Sequence, residues 1–489
     1  MASLDELRAE RLKKLTRLKE AGMVAYPIET GRSLTLSEVV ESFDNLVQAG
    51  KPLTLAGRVM ALRGQGAIIF FDLDDGGGKF QALIKKEETD EAAKKLFEET
   101  VDLGDIVAVT GELFLTKRAE KTILVKTWQM LTKTLRPLPD QWDGLKDTEE
   151  RFRRRYLDSL INSDVRKRFT TRSNVISEIR NFLNKQDFLE VETPMLQPLP
   201  GGATATPFVT HHAALDIDLY LRVAPELYLK QMVIGGFNKV YELGRNFRNE
   251  GIDTTHNPEF TSIEVYAAYS TPTEQRELVE DLFKKVIKKV FGSTKLPHAG
   301  ELIDFSKKFG VIKYFDLFRR YALIPEPETI SEDELKIKAE QLGIRLESGD
   351  SREKLLDRIY KKTCQPKLIQ PTFITDYPFE SAPLAKRQED NPSLIDRFQL
   401  VVGGLEVVNG FAELNDPIDQ RERFMTEEKK REGGDAEAQV KDEAYLEALE
   451  YGLPPACGWA IGIDRLIMLL TDTQNIREVI YFPTLRPRE

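Results

Sequence analysis

The sequence predicts an α+β chain with a small closed β-barrel near its N terminus, followed by a larger antiparallel sheet flanked by helices. Between about residues 52 and 132, apolar and polar residues alternate in five short runs, a pattern typical of strands. Beyond residue 160, strands and long helices are mixed without the regular β-α-β alternation of a doubly wound parallel sheet, which favours an antiparallel core. We expect a helical segment at 1–50, the barrel at 51–135, a linker at 136–160 and a second domain at 161–489 with a helical insertion at about 328–365.

Composition and charge exclude several classes of protein. With 489 residues, 41% hydrophobic and 31% charged, the chain has the composition of an ordinary soluble protein. No apolar run approaches the roughly 20 residues of a membrane span, and the N terminus lacks the apolar core of a secretory signal, so we expect a cytoplasmic protein that does not enter membranes. The two cysteines and four histidines do not fall at metal-ligand spacing, so any metal should be a hard cation bound by carboxylates. The net charge of −10 argues only weakly against nucleic-acid binding.

The first predicted helix covers residues 3–21, where leucines recur at roughly helical spacing after a Ser3-x-x-Glu6 capping box. The five strand-like runs that follow, with one short charged helix among them, fit the OB-type barrel that commonly binds oligonucleotides. In such barrels exposed aromatic side chains stack on bases and basic side chains lie along the phosphates. The candidates are Arg58, Phe70, Lys117 and Arg118.

For two features of the barrel, a purely structural role stays open as an alternative to nucleic-acid binding. A phenylalanine in a strand, such as Phe70, is more often a core residue than a stacking platform. The Gly76-Gly77-Gly78 segment has only the spacing of a hairpin turn and lacks the pattern of a phosphate-binding loop.

The sequence after the barrel predicts the join to the second domain. A proline-rich stretch at 136–144 ends the barrel, and a basic run at 151–156 follows it. Residues 164–187 show helical periodicity with apolar residues on one face, and 188–196 read as a strand that Pro194 stops. A proline there favours an edge or interface position.

Four further elements complete the prediction. A helix at 271–291 is capped by Thr271 and ended by Gly292. Residues 331–363 form the helical insertion, 395–413 return to strand character, and the last strand continues through Gly462 into a helix.

The most unusual stretch lies between two strand-like runs, at residues 248–260. Its sequence, RNEGIDTTHNPEF, places charges, a glycine, a histidine and an Asn-Pro pair in what the flanking alternation indicates is a hairpin. Phosphate binding needs a fork-shaped guanidinium, and a purine ring needs a flat partner. Most charged hairpin tips are merely solvated, but together five residues supply what a nucleotide requires: Arg248, Glu250, His256, Asn257 and Phe260.

Three segments, in this order, resemble the motifs of the class II aminoacyl-tRNA synthetases. They are the helix and strand at 169–196 with Pro194, the sequence FRNEGIDTTHNPEF with Arg248, and GIDRLIM with Arg465. Four flanking stretches are similar to the lysyl-tRNA synthetase family: APELYLK at 224–230, HNPEFTSIEVYAAY at 256–269, EVVNGFAELNDP at 406–417 and GLPPACGWAIGIDR at 452–465.

The resemblance spans nearly the whole chain and implies a reaction. The family activates L-lysine with ATP to lysyl-adenylate and transfers lysine to the 3′-terminal ribose of tRNA(Lys), with Mg²⁺ as the metal. Its N-terminal barrel reads the anticodon, its early basic helix supports tRNA binding, and the resemblance implies a homodimer that forms through residues 164–196.

The residues themselves also favour lysine over an acidic substrate. A pocket for an ammonium group needs carboxylates and a hydroxyl, whereas a pocket for aspartate needs a cation. Glu264, Tyr266 and Glu413 fit the ammonium pocket, and the related aspartyl enzymes have an arginine at the position that corresponds to Glu413. Taken alone, Glu264 is more typical of a surface acid on a strand.

The resemblance implies a role for each remaining candidate. Glu226 would bind the α-amino group of lysine, and Arg248 would bridge the lysine carboxylate and the α-phosphate of ATP. Adenine would lie between Phe260 and Arg465. The other roles carried over are adenine selection by Glu250 and Asn257, contact of His256 with the outer phosphates, magnesium binding by Glu406, lining of the lysine site by Asn409, Phe411 and Gly462, and anticodon contact by Arg58, Phe70 and Glu120.

The chemistry needs no general base, because the attacking lysine carboxylate is already an anion. It needs alignment and cancellation of charge at the α-phosphorus. The resemblance assigns both tasks to Arg248, Arg465 and magnesium.

One departure from the family affects the metal. The family has a glutamate seven residues before the position of Glu406, and here that residue is Gln399. A glutamine brings no negative charge, so we expect weaker magnesium binding at that position. Ala382 stands where a serine is usual, and the sequence offers no interpretation of that change.

Three rival functions are weighed against this one. An aspartyl or asparaginyl enzyme of the same class is disfavoured by Tyr266 and Glu413. A ligase that attaches lysine to elongation factor P would lack the barrel. A non-catalytic tRNA-binding relative would be expected to lose Arg248 or Arg465, and both are present.

Overall fold

The computed structural model describes residues 3–64, 67–139, 145–347, 350–433 and 438–488. The chain divides into two compact units, Met1–Ser163 and Asp164–Glu489. Within the described ranges, no helix is both long enough and apolar enough to cross a lipid bilayer.

The first unit is built on a closed five-stranded barrel, as the alternation predicts. Its strands are β1 Leu53–Arg63, β2 Ile68–Asp74, β3 Lys79–Lys85, β4 Ile106–Leu115 and β5 Lys121–Thr132. Neighbouring strands follow the order β1-β2-β3-β5-β4, with β3 and β5 parallel and the other pairs antiparallel. Alternate residues of β2, including Phe71 and Leu73, are buried in the barrel, whereas Phe70 lies on the opposite, half-exposed face.

Six helices complete the described part of the first unit. They are α1 Leu4–Glu20, α2 Leu36–Glu41, α3 Phe43–Ala49, α4 Glu91–Thr100, α5 Thr148–Arg153 and α6 Arg155–Ile161. The capping box predicted for α1 is present, because the Ser3 hydroxyl accepts a hydrogen bond from the backbone amide of Glu6. Residues 140–144 of the expected linker lie outside the described residues, and part of the remainder forms α5 and α6.

The second unit is centred on an eight-stranded sheet in which most neighbours are antiparallel. In chain order its described strands are β6 Leu189–Glu190, β7 Leu196–Gln197, β8 Phe208–His212, β9 Ile217–Leu221, β10 Lys239–Phe247, β11 Glu259–Ala268, β12 Lys295–His298, β13 Glu301–Asp304, β14 Gly310–Lys313, β15 Thr372–Pro378, β16 Leu394–Val402, β17 Leu405–Ala412 and β18 Ala456–Gly462. The main sheet has the order β14-β15-β16-β17-β18-β11-β10-β6, while β7-β9-β8 and β12-β13 form two smaller sheets. Only the outer pairs β14-β15 and β10-β6 of the main sheet are parallel.

Helices flank the sheet of the second unit. They are α7 Ser163–Asn184, α8 Glu226–Ile234, α9 Pro272–Phe291, α10 Tyr314–Leu317, α11 Glu332–Gln341, α12 Arg352–Ile359, α13 Pro417–Glu432, α14 Glu443–Glu450 and α15 Ile463–Leu470, with short 3₁₀ or π turns at Phe318–Ala322, Tyr360–Cys364, Gln365–Lys367, Phe379–Ser381 and Ile476–Glu478. The largest core packs α7, α9 and α15 against the sheet, with Val175, Phe283 and Ile467 among the buried side chains. The predicted capping of α9 by Thr271 and its end at Gly292, which has a φ of 68°, are confirmed.

One predicted strand is wrong in extent. Residues 188–196 were expected to form a strand that Pro194 stops, but they contain only the two-residue strand β6, which ends at Glu190, and the first residue of β7. Pro194 lies between the two and has no amide hydrogen for a ladder hydrogen bond, which accounts for the break.

Candidate active site

Alternate side chains of β11 face two different environments. Ile263 and Val265 are fully buried in the hydrophobic core. Because side chains alternate along a strand, Phe260, Glu264 and Tyr266 lie on the opposite face, where they line cavities on the sheet surface. Strand β10 pairs with β11 in register from Lys239 opposite Ala267 to Phe247 opposite Glu259, so the predicted hairpin is confirmed and its loop lies at one end of this row.

Two cavities lie over this face of the sheet. The larger, of about 1240 Å³, is lined by seven residues predicted for the lysine site: Glu226, Arg248, Glu264, Tyr266, Asn409, Phe411 and Glu413. The smaller, of about 250 Å³, is lined by the seven predicted for ATP: Arg248, Glu250, His256, Asn257, Phe260, Glu406 and Arg465. Gly462, predicted for the lysine site, lines the smaller cavity. The cavities share Arg248, Glu264, Glu406 and Asn409, so the two predicted substrate sites adjoin.

The larger cavity has an acidic side built by α8 and the end of β17. Lys230, four residues after Glu226 on α8, is fully buried between two of the predicted carboxylates. Its Nζ donates to Glu226 Oε1 at 2.7 Å and lies 2.5 Å from Glu413 Oε2. The same Nζ lies 5.5 Å from the centre of the Phe411 ring, and Glu413 Oε1 is buried without a hydrogen-bond partner in the described part of the chain. A third carboxylate, Glu264, accepts a hydrogen bond from the Tyr266 hydroxyl at 3.2 Å.

Burial changes the protonation behaviour of these acids. It raises the pKa of Glu264 to about 8, and the charge on Glu226 acts in the same direction. It also raises the pKa of Glu413 to about 8, although Lys230 opposes the change. The pKa of Glu226 is raised by burial as well, against the same lysine. A cation that entered this cavity would therefore favour the ionised carboxylates and release protons from them.

A glycine lets two of the predicted lysine-site residues approach the sheet closely. Gly458 lies on β18 opposite Tyr266 of β11 and Phe411 of β17. A Cβ at this position would overlap Glu413 Oε1 and the Tyr266 ring. Only glycine is compatible with the observed positions of both side chains.

Arg248 joins the acidic side to the nucleotide side. Its backbone amide donates to the Pro258 carbonyl at 2.8 Å, which extends the hairpin pairing beyond the strands. The guanidinium carbon lies 5.1 Å from the centre of the Phe260 ring, so it packs over one face of that ring. Burial lowers the pKa of Arg248, while Glu250 and Glu264 raise it. Its Nε is buried and has no hydrogen-bond partner within the described residues, so this donor is available to an anion.

The loop holds His256 in one tautomer. Arg465 Nη2 lies 2.8 Å from His256 Nε2, and because arginine can only donate, Nε2 accepts. The His256 Nδ1 proton is then donated to Asp253 Oδ2 at 2.8 Å. Asn257 donates its amide to the Glu259 carbonyl at 2.6 Å, and its buried Oδ1 has no partner in the described part of the chain. The loop therefore presents a hydrogen-bond acceptor at the smaller cavity.

The position of Arg465 depends on a contact with α7. Arg465 follows Asp464 in the first turn of α15. Asp464 Oδ1 accepts from Arg172 of α7 at 2.6 Å, and its Oδ2 accepts from the backbone amide of Thr261 on β11 at 2.8 Å. Arg172 also donates to the Thr261 hydroxyl at 3.1 Å. These bonds tie the start of α15 to the helix predicted for the subunit contact.

The residues predicted to bind magnesium are compatible with a cation shared with a nucleotide. Glu406 lines both cavities, and Gln399 is buried and lines the larger one. Gln399 Oε1 accepts a hydrogen bond from the Tyr377 hydroxyl at 2.6 Å. No group of three or more potential metal ligands occurs within the described ranges. Since Mg²⁺ commonly takes one or two protein carboxylates and otherwise waters and substrate phosphates, this donor set fits Mg²⁺ that arrives with ATP.

The prediction missed three kinds of residue around the site. Lys230 carried a signal in its i,i+4 spacing from Glu226. Arg397 on β16 donates to Asn409 Oδ1 at 2.9 Å, and it alternates with Gln399 in the polar pattern of that strand. Residues of the helical insertion also line the larger cavity, among them Arg352, Arg358 and Tyr360. No spacing in the sequence indicated this last contribution.

The barrel residues predicted to contact the anticodon lie at its surface or half-buried. Arg58 on β1 is half-buried and donates from Nη1 to the Gly104 carbonyl at 2.7 Å, and burial lowers its pKa. Phe70 is half-exposed on β2. Lys117, Arg118 and Glu120 are exposed in the turn between β4 and β5.

Comparison with known proteins identifies both parts of the chain. Residues 147–486 match the family model of tRNA synthetases class II (D, K and N), and residues 53–131 match the OB-fold nucleic acid binding domain. A lysine–tRNA ligase of Syntrophomonas wolfei is 46% identical over 99% of this chain and 98% of its own length. Those of Pelotomaculum thermopropionicum and Carboxydothermus hydrogenoformans are each 45% identical over 99% of this chain and over 96% and 99% of their own lengths. The chain belongs to the class II tRNA synthetase family and, within it, groups with the lysine–tRNA ligases.

Proposed function

We propose that this chain is a lysyl-tRNA synthetase, which activates L-lysine with ATP to lysyl-adenylate and transfers lysine to the 3′-terminal ribose of tRNA(Lys). The observation that carries the proposal is the row of side chains on β11 and its loop. Phe260 lies in the smaller cavity, Tyr266 in the larger one, and Glu264 in both. One hairpin therefore joins a cavity suited to a purine nucleotide to an acidic cavity suited to a diamine.

The acidic cavity accounts for the choice of lysine. Glu226, Glu264 and Glu413 surround a space large enough for an amino acid, and Tyr266 adds a hydroxyl. An aspartate side chain on this side of the cavity would meet three carboxylates, and the ammonium group nearest to them, Lys230, is already paired with two of them. A lysine ammonium would instead complete the pairing.

The smaller cavity is suited to adenine. Phe260 offers a ring face, and Arg465 lines the same cavity. The unpartnered Oδ1 of Asn257 matches the exocyclic amino group of adenine, which is a donor. Glu250 lines the cavity as a second acceptor. His256 lies at the exposed side of the cavity, where the outer phosphates of bound ATP would extend towards solvent.

Activation is a charge-alignment reaction on this geometry. Arg248 lines both cavities and can donate to the lysine carboxylate and to the α-phosphate at once. The carboxylate oxygen attacks the α-phosphorus, the bond to the bridging oxygen of pyrophosphate breaks, and lysyl-adenylate remains. Arg248 and Arg465 stabilise the negative charge that accumulates on the phosphoryl oxygens. In transfer, the ribose hydroxyl attacks the lysyl carbonyl carbon and AMP leaves.

Glu406, with a lesser contribution from Gln399, is the residue that would hold Mg²⁺. Bound with ATP, the ion neutralises phosphate charge. Glu406 lines the shared region of the two cavities, and it raises the pKa of Arg248 through its charge. The Glu406 carboxylate therefore lies where a bound Mg²⁺ would hold the ATP phosphates next to Arg248.

We assign residues 51–135 to anticodon binding, 136–160 to a linker and 161–489 to catalysis. The support for the first assignment is the closed five-stranded barrel and its match to a nucleic-acid binding domain. Arg58, Phe70 and Glu120 remain the candidates for anticodon contact. We also propose a cytoplasmic location, because translation in the cytoplasm uses the charged tRNA.

We further propose a homodimer that forms through residues 164–196. The segment after α7 and the neighbouring small sheet expose large apolar side chains, which is unusual for a free surface. These side chains are Leu189, Met195, Leu196, Val209 and Ile217. A second copy of the chain would cover them.

The test is pyrophosphate exchange with ATP in the presence of each of the twenty amino acids in turn. Exchange that depends on lysine and is lost in Arg248→Ala supports the proposal, and exchange driven by aspartate or asparagine would replace it with the rival of the same class. Charging of purified tRNA(Lys), compared with lysylation of elongation factor P, separates a tRNA ligase from a protein ligase.

A further inference from the structure

The charges of one cluster of side chains at the larger cavity do not balance without a ligand. The cluster consists of three carboxylates that line the cavity, Glu226, Glu264 and Glu413, and the buried ammonium group of Lys230 beside them. Lys230 contacts only two of the carboxylates, Glu226 at 2.7 Å and Glu413 at 2.5 Å. With all groups ionised, the cluster therefore lacks two positive charges.

Lys230 is more deeply buried than the other described lysines that form ion pairs along helices, of which Lys94 is the next most buried at 8% exposure. The i,i+4 pairs Lys285–Asp281 and Lys336–Glu332 are exposed, as expected of solvated pairs that add little stability. The Lys230 side chain is 0% exposed. Burial alone would lower its pKa, but Glu226 and Glu413 outweigh that effect and raise it, so the ammonium stays charged.

Every neighbouring element contributes a group that acts on this cluster. Burial raises the pKa of Tyr266 well above its usual value, and Glu226 adds to the effect, so the hydroxyl remains a donor. Arg222 and Arg248 lower the pKa of Glu264 through their charges, and Tyr445 of α14 helps to raise the pKa of Lys230. The charged and titratable groups that act on one another in this cluster are Arg222 after β9, Glu226 and Lys230 on α8, Arg248 after β10, Glu264 and Tyr266 on β11, Glu413 after β17 and Tyr445 on α14. The other charged and titratable residues that line the larger cavity are Tyr314, Glu332, Glu347, Asp350, Arg352, Glu353, Lys354, Asp357, Arg358, Tyr360, Lys361, Tyr377, Glu380, Arg397 and Glu406.

We propose that Lys230 is an internal counter-ion that fixes Glu226 and Glu413 in place and leaves the cluster of Glu226, Lys230, Glu264 and Glu413 short of two positive charges, which the two ammonium groups of the substrate supply while protons leave the cluster. The inference rests on the proposed function and deepens it. Lys230 does not touch the reacting atoms and is a positioning residue. It uses one oxygen of Glu226 and one of Glu413, so each carboxylate keeps an oxygen for a ligand.

The counter-ion explains how three acids can be buried together before lysine arrives. Without Lys230, Glu226 and Glu413 would repel each other and take up protons instead of holding fixed, ionised positions. With it, the remaining deficit is met in the empty cavity by protons on the acids whose pKa is raised to about 8. Both amino groups of free lysine are charged at neutral pH, so binding replaces those protons with ammonium groups.

The first test compares full-length wild type with Lys230→Met, using Lys239→Met as the matched control. Lys239 is exposed on β10, away from the cavities, and donates to the Gln186 carbonyl. In Lys230→Met we expect the KM for lysine in pyrophosphate exchange to rise roughly 30-fold or more, the scale of a lost buried charge contact, and the KM for ATP to stay within about twofold. The Lys239→Met variant should match wild type.

Equal changes in the two KM values, or none, would overturn the role of Lys230. If wild type itself shows no lysine-dependent exchange, the proposed function fails instead, so the two failures are distinguishable. Lys230→Arg keeps the charge and should recover part of the lysine KM, which a purely structural role would not require. Thermal unfolding and far-UV circular dichroism check that each variant is folded.

The second test needs no variant at Lys230. Calorimetry of lysine binding to wild type, in buffers of different ionisation enthalpy, should show net release of roughly half a proton or more per lysine at pH 7.5. Glu264→Gln should reduce that release. Zero release or net uptake at this pH would overturn the proposal even if Lys230→Met failed to fold.

Discussion

Arg248 is the residue on which the two proposed substrate sites converge, because it lines both cavities and its Nε has no partner in the described part of the chain. A lysine at this position could not replace it, since a single ammonium lacks the fork that donates to a carboxylate and a phosphate together. The Phe260 ring supports the guanidinium from one side at 5.1 Å.

Arg248→Ala should therefore lower kcat for lysine-dependent pyrophosphate exchange by roughly 100- to 1000-fold, the effect of removing one preorganised charge-stabilising donor. The control is Arg245→Ala on the same hairpin, because Arg245 is 42% exposed and lies 3.6 Å from Glu259. Steady-state exchange rates of the two variants decide the matter. Equal activity in both would remove Arg248 from the reaction.

Gly458 offers a second prediction at this scale. In Gly458→Ala the new methyl group would displace Glu413 or the Tyr266 ring, so we expect the KM for lysine to rise about 5- to 100-fold, from an overpacking cost of roughly 1–3 kcal/mol. The KM for ATP should hardly change. Gly433→Ala is the control, because Gly433 has a φ of −74° and its added Cβ would come no closer than 3.3 Å to another atom. A similar rise in that control would contradict the argument.

Single residues were predictable where a local pattern exposed them. Glu264 and Tyr266 follow the period of β11, and Arg248 stands at the end of β10, so the hairpin pattern placed all three near one another. Arg397 and Lys230 were not predicted as site residues, because a charged residue in a strand or helix usually faces water. The burial of Lys230 and the half-burial of Arg397 depend on neighbours that are distant in sequence.

Among the elements, the β16-β17 hairpin positions Gln399 and Glu406, the two proposed magnesium ligands. Gln399 lies opposite Asn409, and a register shift between Leu400 and Val401 places Val401 opposite Glu406. The Tyr377 hydroxyl occupies one lone pair of the Gln399 carbonyl oxygen.

Gln399→Glu should strengthen magnesium binding. A carboxylate at this position adds a negative charge and can still accept from Tyr377, so we expect the Mg²⁺ concentration for half-maximal exchange to fall roughly three- to tenfold. Titration of Mg²⁺ at fixed ATP measures it. Glu406→Gln should shift the same curve in the opposite direction, and an unchanged curve in both variants would exclude this pair as the magnesium ligands.

Strand β2 carries the prediction for the barrel. If Phe70 stacks on an anticodon base, Phe70→Ala should lower kcat/KM for tRNA charging about 5- to 100-fold, since such stacking contributes roughly 1–3 kcal/mol per base. Pyrophosphate exchange should be unchanged. Phe70→Tyr keeps the ring and should charge tRNA normally. Loss of exchange and charging together in Phe70→Ala would point to misfolding of the barrel rather than to a lost base contact.

Elements with a long periodic pattern were predictable, and short irregular ones were not. Helix α9 and hairpin β10-β11 each carry many residues in one period. The strand expected at 188–196 is shorter than predicted, because only Leu189 and Glu190 pair with β10 although the sequence up to Pro194 has strand character. Its fragments pair with different sheets, β6 with β10 and β7 with β9, which no local pattern specifies.

For the whole molecule, the open question of assembly has a direct test. Leu196 is 46% exposed beside α7, within the segment proposed as the dimer contact. Leu196→Asp would bury an uncompensated charge in that contact, so the variant should elute and scatter light as a monomer, whereas wild type is expected to do so as a dimer. Val311→Asp is the control, because Val311 is 58% exposed on β14. A dimeric Leu196→Asp would place the contact elsewhere.

The domain order and the chemistry of the catalytic unit were predictable from the sequence, because its motifs occur in a fixed order. The adjacency of the two cavities was not, since it depends on how β17 and β18 align beside β11. Ala460 pairs with Glu264 on one side and with Asn409 on the other, and this register alone brings their side chains to the shared region.

The hydrogen bonds of Arg172 to Asp464 and Thr261 connect the proposed dimer contact with the nucleotide site. If α7 forms the dimer contact, its Arg172 would also hold in place the first turn of α15, which carries Arg465. Dimer formation would then affect nucleotide affinity through Arg172, Asp464 and Thr261. In a subunit separated from its partner, the affinity for ATP would then fall before the affinity of the acidic cavity for lysine changed.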